Sequence, residues 1–377
     1  MSELFPARGG VAEAVGDRAW LQAMLDAEAA LARARGLASE LVGAIASACR
    51  AERYDVAALG REAAASGNPV VPLVAALRAQ LEATAGAGAE VHRGATSQDV
   101  LDTAAMLVAR RALAPLRADL GAAADAAARL AREHRTTPVA GRTLLQQALP
   151  TTFGLKAAGW ATALDAAGAG LAAAPLAAQL GGAAGTLAGL GPDVLDRYAA
   201  ELGLAAPVLP WHTDRTRIAA LAGALGTACG AVAKPARDVV LLAQTEVGEV
   251  REAAPGGSSA MAHKRNPVAA VAALAAAREA PGLVATLLAS MEQEHERAAG
   301  AWHAEWRPLT ALLLATGSAA AWLRACLEGL EVDAGRVRAN LELPGGVPAP
   351  ERTPAALDAA VAAAAALVDR ALAARER

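Results

Sequence analysis

Several helices encoded by this chain are too long for a small globule. From Trp211 to Arg251 the apolar positions keep helical spacing for roughly 40 residues, a rod of about 60 Å at 1.5 Å per residue. A second run starts near Thr96 or Ser97, with Asp99 and Asp102 in its early turns, and continues to about Glu133. Early acidic residues suit the positive end of a helix. Two more runs cover about 267–293 and 301–329. Rods of this length cannot bury their apolar faces in one small domain. They predict an all-α, multi-helix bundle extended across subunits. Composition agrees: hydrophobic residues reach 55% while aromatics are only 3%. Abundant alanine, the best helix former, suits closely packed helices rather than a sandwich of bulky strands.

The rest of the chain frames those rods. Val11 to Arg35 predicts a helix with Trp20, Leu21, Met24, Leu25 and Leu31 on one face. Shorter helices are expected at about 39–50, 55–65 and 70–84, with a Gly/Ala breaker at 85–89. His134 to Pro150 reads as extended or loop, and a helix resumes over about 151–174. The tail, Val332 to Arg377, holds a short helix, the turn LPGGVPAPERTP and a last Ala-rich helix. The expected division is an N-terminal helical domain over 1–95, a central long-helix domain over 96–331 and a C-terminal helical segment over 332–377.

Charge and cysteine usage narrow the partners. A formal net charge of −3 gives no electrostatic footprint for nucleic acid. Cys49, Cys229 and Cys326 are far apart, lie in apolar helical contexts and lack metal-ligand spacing, so they are expected to be buried free thiols. The N-terminal MSELFPARGG has no apolar signal-peptide core, and no uncharged apolar run stands out as a membrane span. A cytoplasmic protein is expected. No dinucleotide fingerprint, phosphate loop or metal-ligand spacing occurs, so neither cofactor nor metal is expected.

Polar chemistry is concentrated in a few places. Gly256 to Pro267 reads GGSSAMAHKRNP. Its glycines permit close approach of backbone amides to a ligand. Ser258 and Ser259 offer hydroxyls; His263, Lys264, Arg265 and Asn266 offer donors to a carboxylate. Pro267 opens the apolar run VAAVAALAAA, so the loop delivers its donors to a helix N-terminus, which itself favours anions. A second cluster, His92 to Asp99, places Thr96 and Ser97 where a helix N-cap belongs; these residues serve either as caps or as an anion cradle beside an imidazole. A third, Gly141 to Gln147, offers Arg142, Thr143 and Gln146 in a loop. A fourth, Met291 to Arg297, sets His295 among carboxylates and leads into Trp302-His303-Ala304-Glu305-Trp306.

GSSAMAHKRNP resembles the signature loop of the fumarase/aspartase superfamily, GSSxMPxKxNP, and HRGATSQDVLDTA resembles its first conserved region. DRAWLQAMLDAEAALARA, GNPVVPLV, WHTDRTRI, ARDVVLLAQTEVGEV and EQEHERAAGAWHAEW extend the likeness to the 3-carboxy-cis,cis-muconate cycloisomerase branch, over most of residues 11–340. The resemblance implies a homotetramer around a long-helix bundle, with each active site shared between subunits and a small tricarboxylate as substrate. It implies lactonisation of 3-carboxy-cis,cis-muconate to 4-carboxymuconolactone, in protocatechuate degradation, through an aci-carboxylate intermediate. By match to the loop pattern, Ser258 is the acid/base and Lys264 its catalytic companion. Ser259, Met261, His263 and Asn266 contact substrate from the same loop, with Thr96, Ser97 and His92 from the first region. Arg142, Thr143, Gln146 and His295 complete the expected contacts.

Three departures bear on this reading. Ala262 replaces the usual loop proline, which loosens the loop. Leu144 stands where many lyases of the superfamily carry a histidine that protonates a leaving amine. Lactonisation needs no such acid, because the attacking carboxylate is already ionised. The C-terminal segment is shorter than the fuller helical domain of related enzymes. The alternatives are a fumarate-releasing lyase on a substituted succinate, of adenylosuccinate or nitrosuccinate type, and a catalytically inactive structural homologue. No purine-nucleotide pocket is recognisable.

Overall fold

The computed structural model describes Leu4 and residues 7–261, 263–342 and 353–376. The fold is all-α with four short strands among the described residues. The N-terminal part holds α1 (Val11–Ala14), α2 (Asp17–Ala34), α3 (Ser39–Ala48), α4 (Val56–Ser66) and α5 (Val70–Ala85). Then come α6 (Ser97–Glu133), the hairpin β1 (Pro138–Thr143) and β2 (Gln146–Thr152), α7 (Phe153–Ala172), α8 (Pro192–Leu202) and α9 (Thr216–Leu242). After β3 (Val250–Glu252) come α10 (Val268–Ala277), α11 (Ala280–Ala289), α12 (Ala301–Glu328), β4 (Leu330–Val332), α13 (Ala334–Leu341) and α14 (Pro354–Arg375).

The bundle is built on α6, which packs against α7, α12 and α2, while α9 packs against α7, α10 and α12. Much of the seam is alanine: Ala104, Ala109, Ala112, Ala123, Ala124, Ala127, Ala128 and Ala131 of α6 are all fully buried. Side chains this small leave little volume to fill between backbones, so dense packing requires the helices to lie close. Cys49, Cys229 and Cys326 are free and buried as expected, and burial pushes all three thiols up.

Several expected boundaries move. Val11–Arg35 divides at Gly16, whose extended backbone separates α1 from α2. The run expected over 267–293 divides after Ala277, because Pro281 sits in the first turn of α11, where its missing N–H costs nothing. Pro115, Pro235 and Pro308 instead lie inside α6, α9 and α12 without ending them. The run expected over 211–251 shortens to α9, whose start is marked by the Asp214 carboxylate accepting from the Thr216 amide and hydroxyl. Beyond α9 the chain turns at Gly248, which has positive φ, and enters β3. The segment 134–150 forms a hairpin with a bulge between Ala140 and Arg142. Ala262 and most of the turn LPGGVPAPERTP lie outside the described residues.

The expectation that no run resembles a membrane span needs correction. By length and composition alone, three helical stretches are long and apolar enough to cross one: 216–242, 268–289 and 301–328.

Candidate active site

At the start of α6, Thr96 is the N-cap and its amide donates to Asp99 Oδ2 at 2.9 Å. Asp99 is buried and takes further donors from the amides of Gly181 (2.8 Å) and Gly182 (2.9 Å) and from Gln179 Nε2 (3.3 Å). His212 Nε2 lies 2.7 Å from its Oδ1. One carboxylate thus joins the helix cap to the 179–182 segment and to the WHTD stretch.

One turn further on, Asp102 and Glu305 sandwich the guanidinium of Arg215, which is 2% exposed. Burial works against the Arg215 cation, but the two carboxylates outweigh it and hold its proton more firmly than usual. Burial raises the Glu305 carboxyl. Trp302 Nε1 donates to Asp102 at 3.0 Å, and Arg297 donates to Gln98 Oε1 and the Ala183 carbonyl. His92 precedes this cap in a turn with φ +58°, its Nδ1 2.6 Å from Glu28. His295 lies exposed in the turn before α12 with φ +50°. The His303 ring is flanked by Trp302 and Trp306.

The Gly256–Asn266 loop is a closed lasso. Gly256 and Asn266 exchange two backbone hydrogen bonds of 2.9 Å, and Asn266 Nδ2 donates to the Gly257 carbonyl at 3.1 Å. A Cβ at Gly256 would stand 2.0 Å from Val268 Cγ2, so only glycine closes this neck. Ser258 Oγ accepts from the amides of Ala260 (3.3 Å) and Met261 (3.1 Å). Ser259, Met261, His263, Lys264 and Arg265 are exposed; among the described residues the last three have no ion-pair partner. The helix N-terminus behind the loop is occupied from within, because Glu252 accepts from the amides of Ala269 and Ala270. Its anion-binding capacity is therefore spent on a carboxylate of this chain.

In the hairpin, Arg142 is committed to Glu249, with contacts of 2.6 and 3.0 Å, and Asn340 Nδ2 donates to the same carboxylate at 2.8 Å. Glu249 is fully buried. Thr143 and Gln146 flank the two-residue tip and are exposed. Leu144 and Leu145 form that tip with φ of +51° and +64° and exposures of 96% and 73%.

The clusters lie at opposite ends of the bundle. Arg215 before α9 and Trp302 at the start of α12 both meet Asp102, at the start of α6. Arg129, near the end of α6, donates to carbonyls of Leu327 and Glu328 at the end of α12. β3 pairs with β4 just beyond α12, and the lasso follows β3. The hairpin begins just after α6 and reaches Glu249 beyond α9. His92, Thr96, Ser97 and His295 therefore gather at one end; Arg142, Thr143, Gln146 and the lasso stand at the other. Between them runs a helix of 37 residues, about 55 Å long. Among the described residues no three His, Cys, Asp or Glu side chains converge as a metal site.

Sequence reasoning missed Glu28, His212, Arg215, Glu249 and Glu305 as members of these networks. A weak signal existed for His212 and Arg215, since both stand in the distinctive stretch WHTDRTRI.

A family model described as lyase matches residues 7–282. Nitrosuccinate lyase of Streptomyces davaonensis is 51% identical over 94% of this chain and 80% of its own length. A 3-carboxy-cis,cis-muconate cycloisomerase of Bradyrhizobium diazoefficiens is 51% identical over 88% of this chain and 76% of its own. The crystal structure of 3-carboxy-cis,cis-muconate lactonizing enzyme from Pseudomonas putida superposes with a TM-score of 0.84 at 42% identity, covering 97% of this chain and 86% of that one.

Proposed function

The chain belongs to the lyase family of the fumarase/aspartase superfamily, and from that membership we propose that it is a cofactor-independent cycloisomerase converting 3-carboxy-cis,cis-muconate to 4-carboxymuconolactone. The observation that carries this reading is the hairpin tip: at the position of the superfamily's leaving-group acid stands Leu144, a side chain with no proton to give. In lactonisation a substrate carboxylate oxygen attacks the diene internally, and a proton is added at the carbon beside another carboxylate. One C–O and one C–H bond form at the expense of one C=C π bond of the diene and the proton donor's O–H bond, and nothing leaves. Ser258 Oγ–H is the donor of that proton. Its oxygen already accepts from two loop amides, which favours the charge left behind when the proton departs. Lys264 and Asn266 stabilise the aci-carboxylate, and Thr96, Ser97 and His92 hold the remaining carboxylates.

The site is completed by other copies of the chain, as a homotetramer with shared active sites. The distance of about 55 Å between the two ends supports this. So do the apolar helices 216–242 and 268–289, whose most apolar windows are only 39% and 22% buried by their own chain. Cytoplasmic residence and a role in aromatic degradation follow from the same reading.

A second reading is favoured by the likeness to nitrosuccinate lyase. Nitrite leaves as a stable anion and, like an attacking carboxylate, needs no acid at Leu144. Parallel assays separate the two: loss of diene absorbance with 3-carboxy-cis,cis-muconate, and fumarate release with nitrosuccinate. The expected result is rapid loss of the diene, with Ser258→Ala slower by on the order of 10² or more and folded normally. Turnover of nitrosuccinate alone would install the second reading. Full activity of Ser258→Ala would remove the serine from either mechanism.

A further inference from the structure

Glu28 stands in the middle of α2 and is 2% exposed. Its two oxygens hold one residue from one side: Oε2 accepts from the His92 amide at 3.1 Å, and Oε1 lies 2.6 Å from His92 Nδ1. Among the described residues, no other side chain forms an ion pair with Glu28. The backbone of His92 is in the left-handed region, φ +58°, which non-glycine residues seldom adopt. Strain of this kind persists where the surroundings over-determine it, and it clusters at functional sites. Here the over-determining group is a buried carboxylate that grips backbone and ring together. The His92 side chain keeps 13% of its surface open, in the turn that leads into the Thr96 cap.

A buried acid gripping an imidazole nitrogen does more than tie two segments together. It fixes which ring nitrogen carries which hydrogen bond, so the opposite nitrogen is the one offered outward. We propose that Glu28 is a positioning residue: it accepts Nδ1–H of His92 and so leaves Nε2 facing a substrate carboxylate beside Thr96 and Ser97, to which the ring donates Nε2–H when it carries both protons. The inference rests on the reading above, that this end of the bundle receives a polycarboxylate. It adds a residue of α2, far away in sequence, to the machinery of that site.

Glu28→Gln is close in volume and keeps one acceptor, but its amide NH2 cannot accept, so it cannot grip both N–H groups of His92. The test compares wild type, Glu28→Gln, His92→Asn and the double variant. Calorimetry gives Kd for the stable probe propane-1,2,3-tricarboxylate, and KM and kcat are taken with whichever substrate wild type turns over. The expected result is a rise in Kd and KM on the order of tenfold for each single variant, as for loss of one charged hydrogen bond. kcat should change less than KM, and the double variant should be no worse than His92→Asn alone. Losses that multiply in the double variant would overturn the proposal, since Glu28 would then act on the fold and not through the ring; so would wild-type affinity in Glu28→Gln. Glu28→Asp, which keeps the charge but is too short to span both nitrogens, repeats the test if the glutamine variant does not fold. A wild type that neither binds the probe nor turns over either substrate would overturn the polycarboxylate site, and this inference with it.

Discussion

The two ends of α6 solve opposite problems. At its N-terminal end charge is buried and spent: Asp99 serves several donors, and Arg215 is divided between Asp102 and Glu305. At its C-terminal end the lasso is held by its own backbone, and Lys264, Arg265 and His263 remain unpaired among the described residues. Fixed groups at one end are pre-organised before any ligand arrives, because the desolvation cost was met during folding. The unpaired Lys264 and Arg265 at the other end remain available to an anion. A site assembled from both would combine a rigid cradle with a responsive charge.

The sharpest way to break this contrast is Arg215→Met, which leaves Asp102 and Glu305 buried without their cation. Removing one partner of a buried pair costs roughly 3–5 kcal/mol, so the urea midpoint should fall steeply. Burial already raises the Glu305 carboxyl, and losing Arg215 raises it further. The folded variant then binds a proton that the unfolded chain, with its ordinary 4.5, releases. Its deficit should accordingly be larger at pH 8 than at pH 5. A loss below about 1 kcal/mol, of the size of an exposed pair, would show that the buried triad holds the N-terminal end no more firmly than a surface contact does.

A smaller effect is expected at the hairpin tip. A two-residue turn with positive φ at both positions is the place for Asn-Gly, and leucine there costs roughly 1–2 kcal/mol per residue. Leu144→Asn with Leu145→Gly should therefore raise the melting temperature of a dissociated subunit, since both leucines are exposed among the described residues. If the tip docks into another copy, the same change should weaken the assembly, read by sedimentation across a dilution series. Greater thermal stability with an unaltered assembly would show that the leucines serve no contact between copies.

Much of the fold was legible in the sequence because helix formation is local. The span of α6 and the starts of α3, α5 and α12 follow from alanine and leucine a few positions apart, with the Thr96 cap adding to the signal at α6. The prolines were less legible: Pro281 opens a helix while Pro235 lies inside one, and only the packing around each decides. The lasso's glycines and serines announced themselves for the same local reason. The buried network did not, because its partners are remote in sequence: Arg215 is 113 residues from Asp102 and 90 from Glu305. Arg142 shows the limit most plainly. Beside Thr143 it looked free to bind substrate, and only the fold reveals Glu249 beneath it, 107 residues away.

The smallest predicted effect distinguishes the two ends by the sign of their response to pH. His134 caps the C-terminal end of α6, stacked edge-on with Phe153, and burial lowers its pKa below the ordinary 6.5. As pH falls beneath 6.5, the unfolded chain takes up a proton that the folded chain resists, so stability drops in that window. Glu305, at the other end, is raised above 4.5, so its share of stability is lost as pH climbs through the window above that value. Replacing His134 with glutamine, which cannot titrate, should flatten the decline in urea midpoint between pH 7 and pH 5.5 while leaving the Glu305 contribution in place. An unchanged slope would mean that His134 is as easily protonated folded as unfolded. The two ends of α6 would then not differ in the sign of their response to pH.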